Sequence, residues 1–208
     1  MTKNKIIVIG LTGSIGMGKS ETAKMFQRAD VPVFDSDGAV HGLMAKDGPA
    51  VDRVEAAFPG VKGVDGIDRK VLGAKVFGDG AALKKLEAIL HPMVSEQRQE
   101  FFEQMVLNGH DMVVMDVPLL FETGGEQRCD YTVVVSAPGA VQRERVLARP
   151  HMSPQKFEDI LTKQMPDSEK RQQADFIVQS DQGIAYAEQQ VGQIIATIRK
   201  NIKTDGTE

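Results

Sequence analysis

An apolar, β-branched run, Ile6-Ile7-Val8-Ile9, leads into Leu11-Thr12 and then Gly13-Ser14-Ile15-Gly16-Met17-Gly18-Lys19-Ser20, and the mixed segment Glu21-Thr22-Ala23-Lys24-Met25-Phe26 follows. That order predicts a buried strand, a glycine turn and a helix. Two glycines separated by four residues and followed by Lys-Ser are the pattern of a phosphate-binding loop. Glycine lets backbone N–H groups curl around phosphate oxygens, and a helix starting near Lys19 points its positive end at the same anion. Lys19 is then placed for the outer phosphates and the Ser20 hydroxyl for Mg²⁺. The plain alternative is a flexible glycine turn, which does not account for the strand before the loop and the helix after it. A dinucleotide-binding fingerprint fits worse, because Lys19-Ser20-Glu21 has no glycine where that pattern needs its third.

With 208 residues, the chain is long enough for one α/β domain with a modest insertion, not for two large independent domains. A formal net charge of −4 gives no general attraction to nucleic acid, and no stripe of Lys and Arg alternates with aromatics. Cys129 is the one cysteine, so an internal disulfide is excluded and a reducing, cytoplasmic setting is expected. Residues 1–5 lead only into the short apolar run before the glycine loop, which reads as neither a secretion signal nor a membrane span. No nucleic-acid or membrane partner is expected.

Buried strands are predicted at residues 6–11, 31–34, 112–117, 131–135 and 176–178, with helical periodicity between them. Alternation of this kind predicts a parallel sheet covered by helices on both faces, a three-layer α/β sandwich. The last helix is expected to bury the stripe Ile184, Ala187, Val191, Ile194, Ile195, Ile198 and Ile202, leaving residues 203–208 as a loose tail. Residues 37–109 contain no convincing strand, and helical pieces are expected at 81–90 and 94–107. They read as a helical insertion at the carboxyl ends of the strands, where open α/β sheets bind ligands. The core is then residues 1–36 and 110–208.

Candidate chemistry gathers at the predicted strand ends. Asp35 and Asp37 face one way if the extended chain persists through Ser36; such an acid can take the proton of an attacking hydroxyl or help position Mg²⁺, while Asp-Ser-Asp-Gly is equally an ordinary turn and helix N-cap. Asp116 ends the third strand and is a further candidate for orienting Mg²⁺. After it come Val117-Pro118-Leu119-Leu120-Phe121-Glu122, whose apolar residues fit either packing or an apolar arm of a substrate. Arg143, Arg145 and Arg149 lie on a helix that Ser136 and Pro138 can start. With the flexible-looking segment 150–154 they suggest a lid over about 140–165, the alternative being a solvated charged face. His91 before Pro92 reads most simply as a helix-terminal residue.

Together these segments resemble the dephospho-CoA kinase family over nearly the whole chain. Leu11 to Ser20 corresponds to the family's opening Leu-Thr-Gly-Gly-Ile-Gly-Ser-Gly-Lys-Ser loop, and Asp35-Ser36-Asp37 to its Asp-Ala-Asp segment. Asp65-Gly66-Ile67-Asp68-Arg69, Leu86-Glu87-Ala88-Ile89-Leu90-His91-Pro92, Val117-Pro118-Leu119-Leu120-Phe121-Glu122 and Ala174-Asp175-Phe176-Ile177 match in the same order. The resemblance implies a P-loop kinase core with a helical acceptor-binding insertion and a lid, with ATP and dephospho-CoA as substrates and Mg²⁺ as cofactor. It implies that Asp37 is the general base, and that Lys19 and Arg145 stabilise the transferring phosphoryl group. ATP contacts are implied for Gly13 through Glu21 and for Arg149, metal contact for Ser20, and acceptor contacts for Asp37, His91, Leu119, Leu120 and Glu122.

Three positions depart from the family pattern. Glu21 stands where Thr is usual, His41 stands where many members have Arg, and Gln179-Ser180-Asp181-Gln182-Gly183 replaces an Asp-Asn-Gly turn. Another small-molecule or nucleoside monophosphate kinase on the same core is the nearest competing reading, and residues 37–109 and 117–122 weigh against it. A GTP-dependent switch would need an Asn-Lys-x-Asp element, and Thr162-Lys163-Gln164-Met165 does not supply one.

Overall fold

The computed structural model describes residues 6–205, so the expectation for the first five residues lies outside it. The chain divides into two compact units at Phe34/Asp35 and Leu107/Asn108.

The first unit is built on a five-stranded sheet of order β2-β5-β1-β6-β7, comprising β1 (Ile7–Thr12), β2 (Val33–Asp35, whose last residue opens the second unit), β5 (Met112–Asp116), β6 (Tyr131–Ser136) and β7 (Phe176–Gln179). β1 runs parallel to β5 and β6, with Leu11 opposite Asp116 and Val133, and β6 runs parallel to β7. Parallel strands buried on both faces have to be apolar nearly throughout, and Met112–Asp116 is buried at every position. On one face, α1 (Lys19–Arg28) and α9 (Ile184–Asp205) pack against Ile9, Leu11, Val114, Val133, Val135 and Val178 through Phe26, Val191, Ile194 and Ile198. On the other, the side chains of Leu120 and Cys129 press against β1 at Gly10, where a Cβ would stand 2.8 Å and 2.7 Å from them. Glycine is required at that strand position because its neighbours occupy the space of a side chain.

The end helix differs from the expected stripe at its start. Ala187 to Ile198 are buried as the spacing predicts, but Ile184, in the first turn, is 63% exposed. The helix continues to Asp205, through residues expected to be tail; the last three residues lie outside the described chain. Ser136 does not start α6 (Gly139–Leu147). It is the last residue of β6, its hydroxyl donates to Asp167 Oδ2 at 2.7 Å, and Pro138 precedes the helix instead. Ser153 caps α7 (Pro154–Leu161), accepting from the Lys156 N–H, and α8 (Asp167–Gln173) follows.

The second unit has its own core of Leu43, Met44, Val51, Val54, Phe58, Val61, Ile67, Leu72, Leu90 and Met93. These come from α2 (Ser36–Met44), α3 (Val51–Ala57), α4 (Arg69–Val76) and α5 (Gly80–Leu107), from the turn after α3 that holds Phe58 and Val61, and from a two-stranded antiparallel hairpin of β3 (Lys62–Gly63) and β4 (Gly66–Ile67). The hairpin corrects the strand-free expectation for this segment; two-residue strands are too short to leave a period-two signal. A second correction is α5, which is one helix where two pieces were expected, with Pro92 inside it. Proline removes the N–H that would reach the Ala88 carbonyl, a local loss that the packing of Leu90 and Met93 into the core offsets.

Candidate active site

The phosphate loop follows β1 and wraps the start of α1. Gly16 has φ +79°, and a Cβ there would stand 2.5 Å from Val146 Cγ2 on α6, so both backbone sign and space demand glycine. Gly18, at φ +97°, occupies the position before Lys19. Within the loop the Met17 N–H donates to the Ser14 carbonyl at 3.1 Å, and the Ile15 N–H to Gln164 Oε1 at 3.1 Å. The N–H groups of Gly16, Gly18, Lys19 and Ser20 have no acceptor among the described residues. Unpaired amides at a helix N-terminus form an anion site, and these belong to the very residues the sequence pattern singles out.

Charged side chains converge on this loop. Lys19 Nζ donates to Asp116 Oδ1, with the two side chains 17% and 9% exposed. The carboxylate at the end of β5 therefore reaches the loop, as expected for an acid that ends a strand beside β1. Arg145 Nη1 donates to Ser180 Oγ at 2.9 Å and Nη2 to the Ser180 carbonyl at 2.8 Å, while Ser180 Oγ donates to the Met17 carbonyl at 2.6 Å. Arg145 is thus tied to the loop through one serine. Arg149 lies beyond the end of α6, yet it lines the same cavity of about 280 Å³ as Gly16, Gly18, Thr22, Arg145 and Ile184. The outward turn of Ile184 has its explanation here, as an apolar wall beside the loop.

Glu21 also borders that cavity, but its carboxylate accepts from Lys24 Nζ at 2.7 Å. The Lys24 hydrogen bond and charge hold the Glu21 carboxyl below its ordinary pKa, so it is anionic beside the anion site. Arg143 is spent on a surface pair with Glu158 at 3.1 Å, in keeping with a solvated face for that arginine. Ser14 and Met17 are buried beneath the loop, Met17 Sδ accepting from the Ala137 N–H at 3.1 Å.

A magnesium ion fits the residues present. Among the described residues no group of three or more His, Cys, Asp or Glu is arranged for a metal. Mg²⁺ bound with nucleotide needs few protein ligands, since phosphate oxygens and water supply the rest. The exposed Ser20 hydroxyl in the first turn of α1 and the Asp116 carboxylate, on which a cation already rests as the Lys19 ammonium, suit that role.

In the segment after β5, Leu119 is 39% exposed, whereas Leu120 is fully buried against Gly10. Leu120 is therefore a packing residue, and the acceptor contact expected of it is corrected. Glu122 turns one oxygen into the fold: its Oε1 accepts from the Met165 N–H at 2.8 Å and stands 2.8 Å from the Nζ of the wholly buried Lys170, while its buried Oε2 has no hydrogen-bond partner among the described residues.

In the second unit Asp35 caps α2, accepting from the Gly38 N–H at 3.0 Å, so the chain is helical from Ser36 and the helix-cap reading holds over the extended pair. The Asp37 side chain, in the first turn, makes no hydrogen bond or ion pair with the described residues. It lines a cavity of about 230 Å³ with Val40, His41, Met44 and Arg69. His91 is exposed in the middle of α5 rather than at a helix end. A larger cavity of about 350 Å³ beside the β3–β4 hairpin contains Lys62 and Asp52, which already neutralise each other at 2.8 Å.

Sequence reasoning missed Gln142 and Gln164, which grip Ile15, and the tie from Arg145 to Ser180. Gln142 and Gln164 lie 127 and 149 residues from Ile15. No spacing rule connects them.

The family model described as dephospho-CoA kinase matches residues 7–186. A dephospho-CoA kinase of Mesorhizobium japonicum is 56% identical over 195 residues, covering 93% of this chain and 98% of the relative. One of Novosphingobium aromaticivorans is 50% identical over 193 residues, covering 93% and 95%. A crystal structure of a Thermus thermophilus protein superposes with a TM-score of 0.82 at 31% identity, covering 92% of this chain and 97% of that one.

Proposed function

The chain belongs to the dephospho-CoA kinase family, and from that premise we propose that this ATP-dependent kinase transfers the γ-phosphoryl group of ATP to the ribose 3′-hydroxyl of dephospho-CoA, giving CoA and ADP. The observation that carries the donor half is the set of amides at Gly16, Gly18, Lys19 and Ser20 that have no acceptor among the described residues, with Gly16 and Gly18 bordering a cavity that Arg145 and Arg149 also line.

In phosphoryl transfer, positioning and charge stabilisation do most of the catalytic work. The loop amides bind the phosphate chain, with Gly13 to Gly18 shaping the cradle. Lys19 leaves Asp116 for the outer phosphates, and Arg145, held by Ser180, offsets charge that develops on the transferring group. Arg149 flanks the nucleotide in the cavity beside α1. Ser20 and Asp116 would hold Mg²⁺, which when bound neutralises phosphate charge and aligns the β- and γ-phosphates.

Asp37 is the base in this reading. Residues 35–107 are the acceptor-binding insertion, with His91 contributing from α5, and Leu119 is the exposed apolar contact for the acceptor's arm. Residues 140–165 form the lid. No helix among the described residues is long and apolar enough to cross a membrane. Cys129 has no second cysteine in the chain with which to form an internal disulfide, which supports a reducing, cytoplasmic setting.

The test is acceptor-dependent ADP release with mass detection of CoA, comparing the wild type with Asp37→Asn. Loss of a general base lowers turnover by about 10²–10⁴-fold. MgATP binding is expected to persist in the variant. Turnover near the wild-type rate would remove Asp37 from the base role, and ADP release indifferent to dephospho-CoA would overturn the acceptor assignment.

A further inference from the structure

Ile15 is the one residue of the phosphate loop held by side chains at both of its backbone polar groups. Its N–H donates to Gln164 Oε1 at 3.1 Å, and its carbonyl accepts from Gln142 Nε2 at 2.8 Å. Gln142 comes from α6 and is buried; Gln164 comes from the turn after α7.

In a trans peptide the carbonyl of one residue and the N–H of the next point in opposite directions. Anchoring the Ile15 carbonyl on Gln142 therefore aims the Gly16 N–H, one of the unpaired amides, away from α6. Anchoring the Ile15 N–H on Gln164 turns the Ser14 carbonyl the other way, where it accepts the Met17 N–H. Two consecutive peptide planes are thus fixed before any anion arrives.

Gln164 is itself held. The next residue, Met165, donates its N–H to Glu122 Oε1 at 2.8 Å, and the same oxygen lies 2.8 Å from Lys170 Nζ. Lys170 is fully buried, and its contact with Glu122 is an ion pair rather than an aligned hydrogen bond. A buried charge pair is a costly way to gain stability alone, and its best-attested use is to fix one arrangement over others. Here the arrangement fixed is the backbone that presents Gln164 to the loop.

We propose that Gln164 is a positioning residue for the donor nucleotide: seated by Glu122 and Lys170, its side chain sets the Ser14–Ile15 peptide so that the phosphate loop stands ready for MgATP. The proposal rests on the kinase reading above and assigns Gln164 no contact with substrate. Gln164→Met keeps the side-chain length and removes the acceptor; Gln164→Glu keeps an acceptor oxygen at the same reach.

The first readout is hydrogen exchange in the loop peptide containing Ile15, measured on the full chain without nucleotide. Gln164→Met is expected to speed exchange about five- to tenfold, the effect of losing one net hydrogen bond, while Gln164→Glu stays near the wild type. The second is binding of MgATP without acceptor by calorimetry, where Gln164→Met is expected to raise Kd by a similar factor. In turnover assays its KM for dephospho-CoA stays within about twofold of the wild type, since only the loop is disturbed.

Unchanged loop exchange and unchanged MgATP affinity in Gln164→Met would overturn the proposal, as would equal acceleration in both variants. Binding of MgATP by a wild type that does not phosphorylate dephospho-CoA would instead refute the acceptor assignment and leave the role of Gln164 standing.

Discussion

Replacing Arg145 with methionine separates its two structural duties. The side chain donates to Ser180 Oγ at 2.9 Å and to the Ser180 carbonyl at 2.8 Å, so the variant loses two hydrogen bonds and a positive charge beside the phosphate loop. The stability cost is bounded. Arg145 is half-buried, Ser180 Oγ keeps its bond to the Met17 carbonyl at 2.6 Å, and water can reach the freed carbonyl. Methionine also retains much of the apolar stem. A loss of about 1–2 kcal/mol follows, which at this chain length lowers Tm by roughly 2–8 °C. The catalytic cost is larger, because a cation aimed at developing phosphoryl charge is worth about 2.7–4 kcal/mol, or about 10²–10³ in kcat. Thermal unfolding and steady-state kinetics with dephospho-CoA, on enzyme titrated for its folded fraction, read the two numbers independently. A fall in Tm with kcat within about threefold of the wild type would refute the reasoning and leave Arg145 as a tie between α6 and Ser180.

Removing the buried cation by Lys170→Met is expected to destabilise by about 3–5 kcal/mol in urea unfolding, because Glu122 is left charged and unpaired inside the fold; a loss under about 1 kcal/mol would contradict the burial of that pair. Asp111 is held below the ordinary carboxylate range by its hydrogen bond to Arg199, so its contribution is present above the unfolded value near 3.9 and lost as pH falls toward the folded value. Both side chains are more than a third exposed, so Asp111→Asn should cost less than about 1 kcal/mol at neutral pH and flatten the acid limb below about pH 4. The effect should vanish in high salt, and a variant with the wild-type acid profile would rule it out.

Sequence patterns were legible where the relevant interaction is local. The period of the last helix, the apolar strands beside the glycine loop and the start of α1 at Lys19 all follow from residues within a few positions of one another. Even there, competition between local rules needed the fold to resolve it. Asp35-Ser36-Asp37 reads equally as an extended acid pair and as a helix cap, and the cap forms because the Asp35 carboxylate satisfies the Gly38 amide. Pro92 is a helix-ending signal, and core packing on either side carries α5 through it.

By itself the sequence determined that a strand enters a phosphate loop whose glycines, lysine and serine are in fixed order, since that chemistry is written in eight consecutive residues. Tertiary structure alone decided which distant side chains serve the loop. Gln142, Gln164 and Ser180 reach it, Asp116 meets Lys19, Leu120 packs against Gly10, and Glu122 Oε1 accepts from the Met165 N–H. The reason is physical. Backbone conformation is governed by neighbours in sequence, whereas a hydrogen bond between residues far apart in sequence exists only after the sheet has fixed its strand order and brought their elements together.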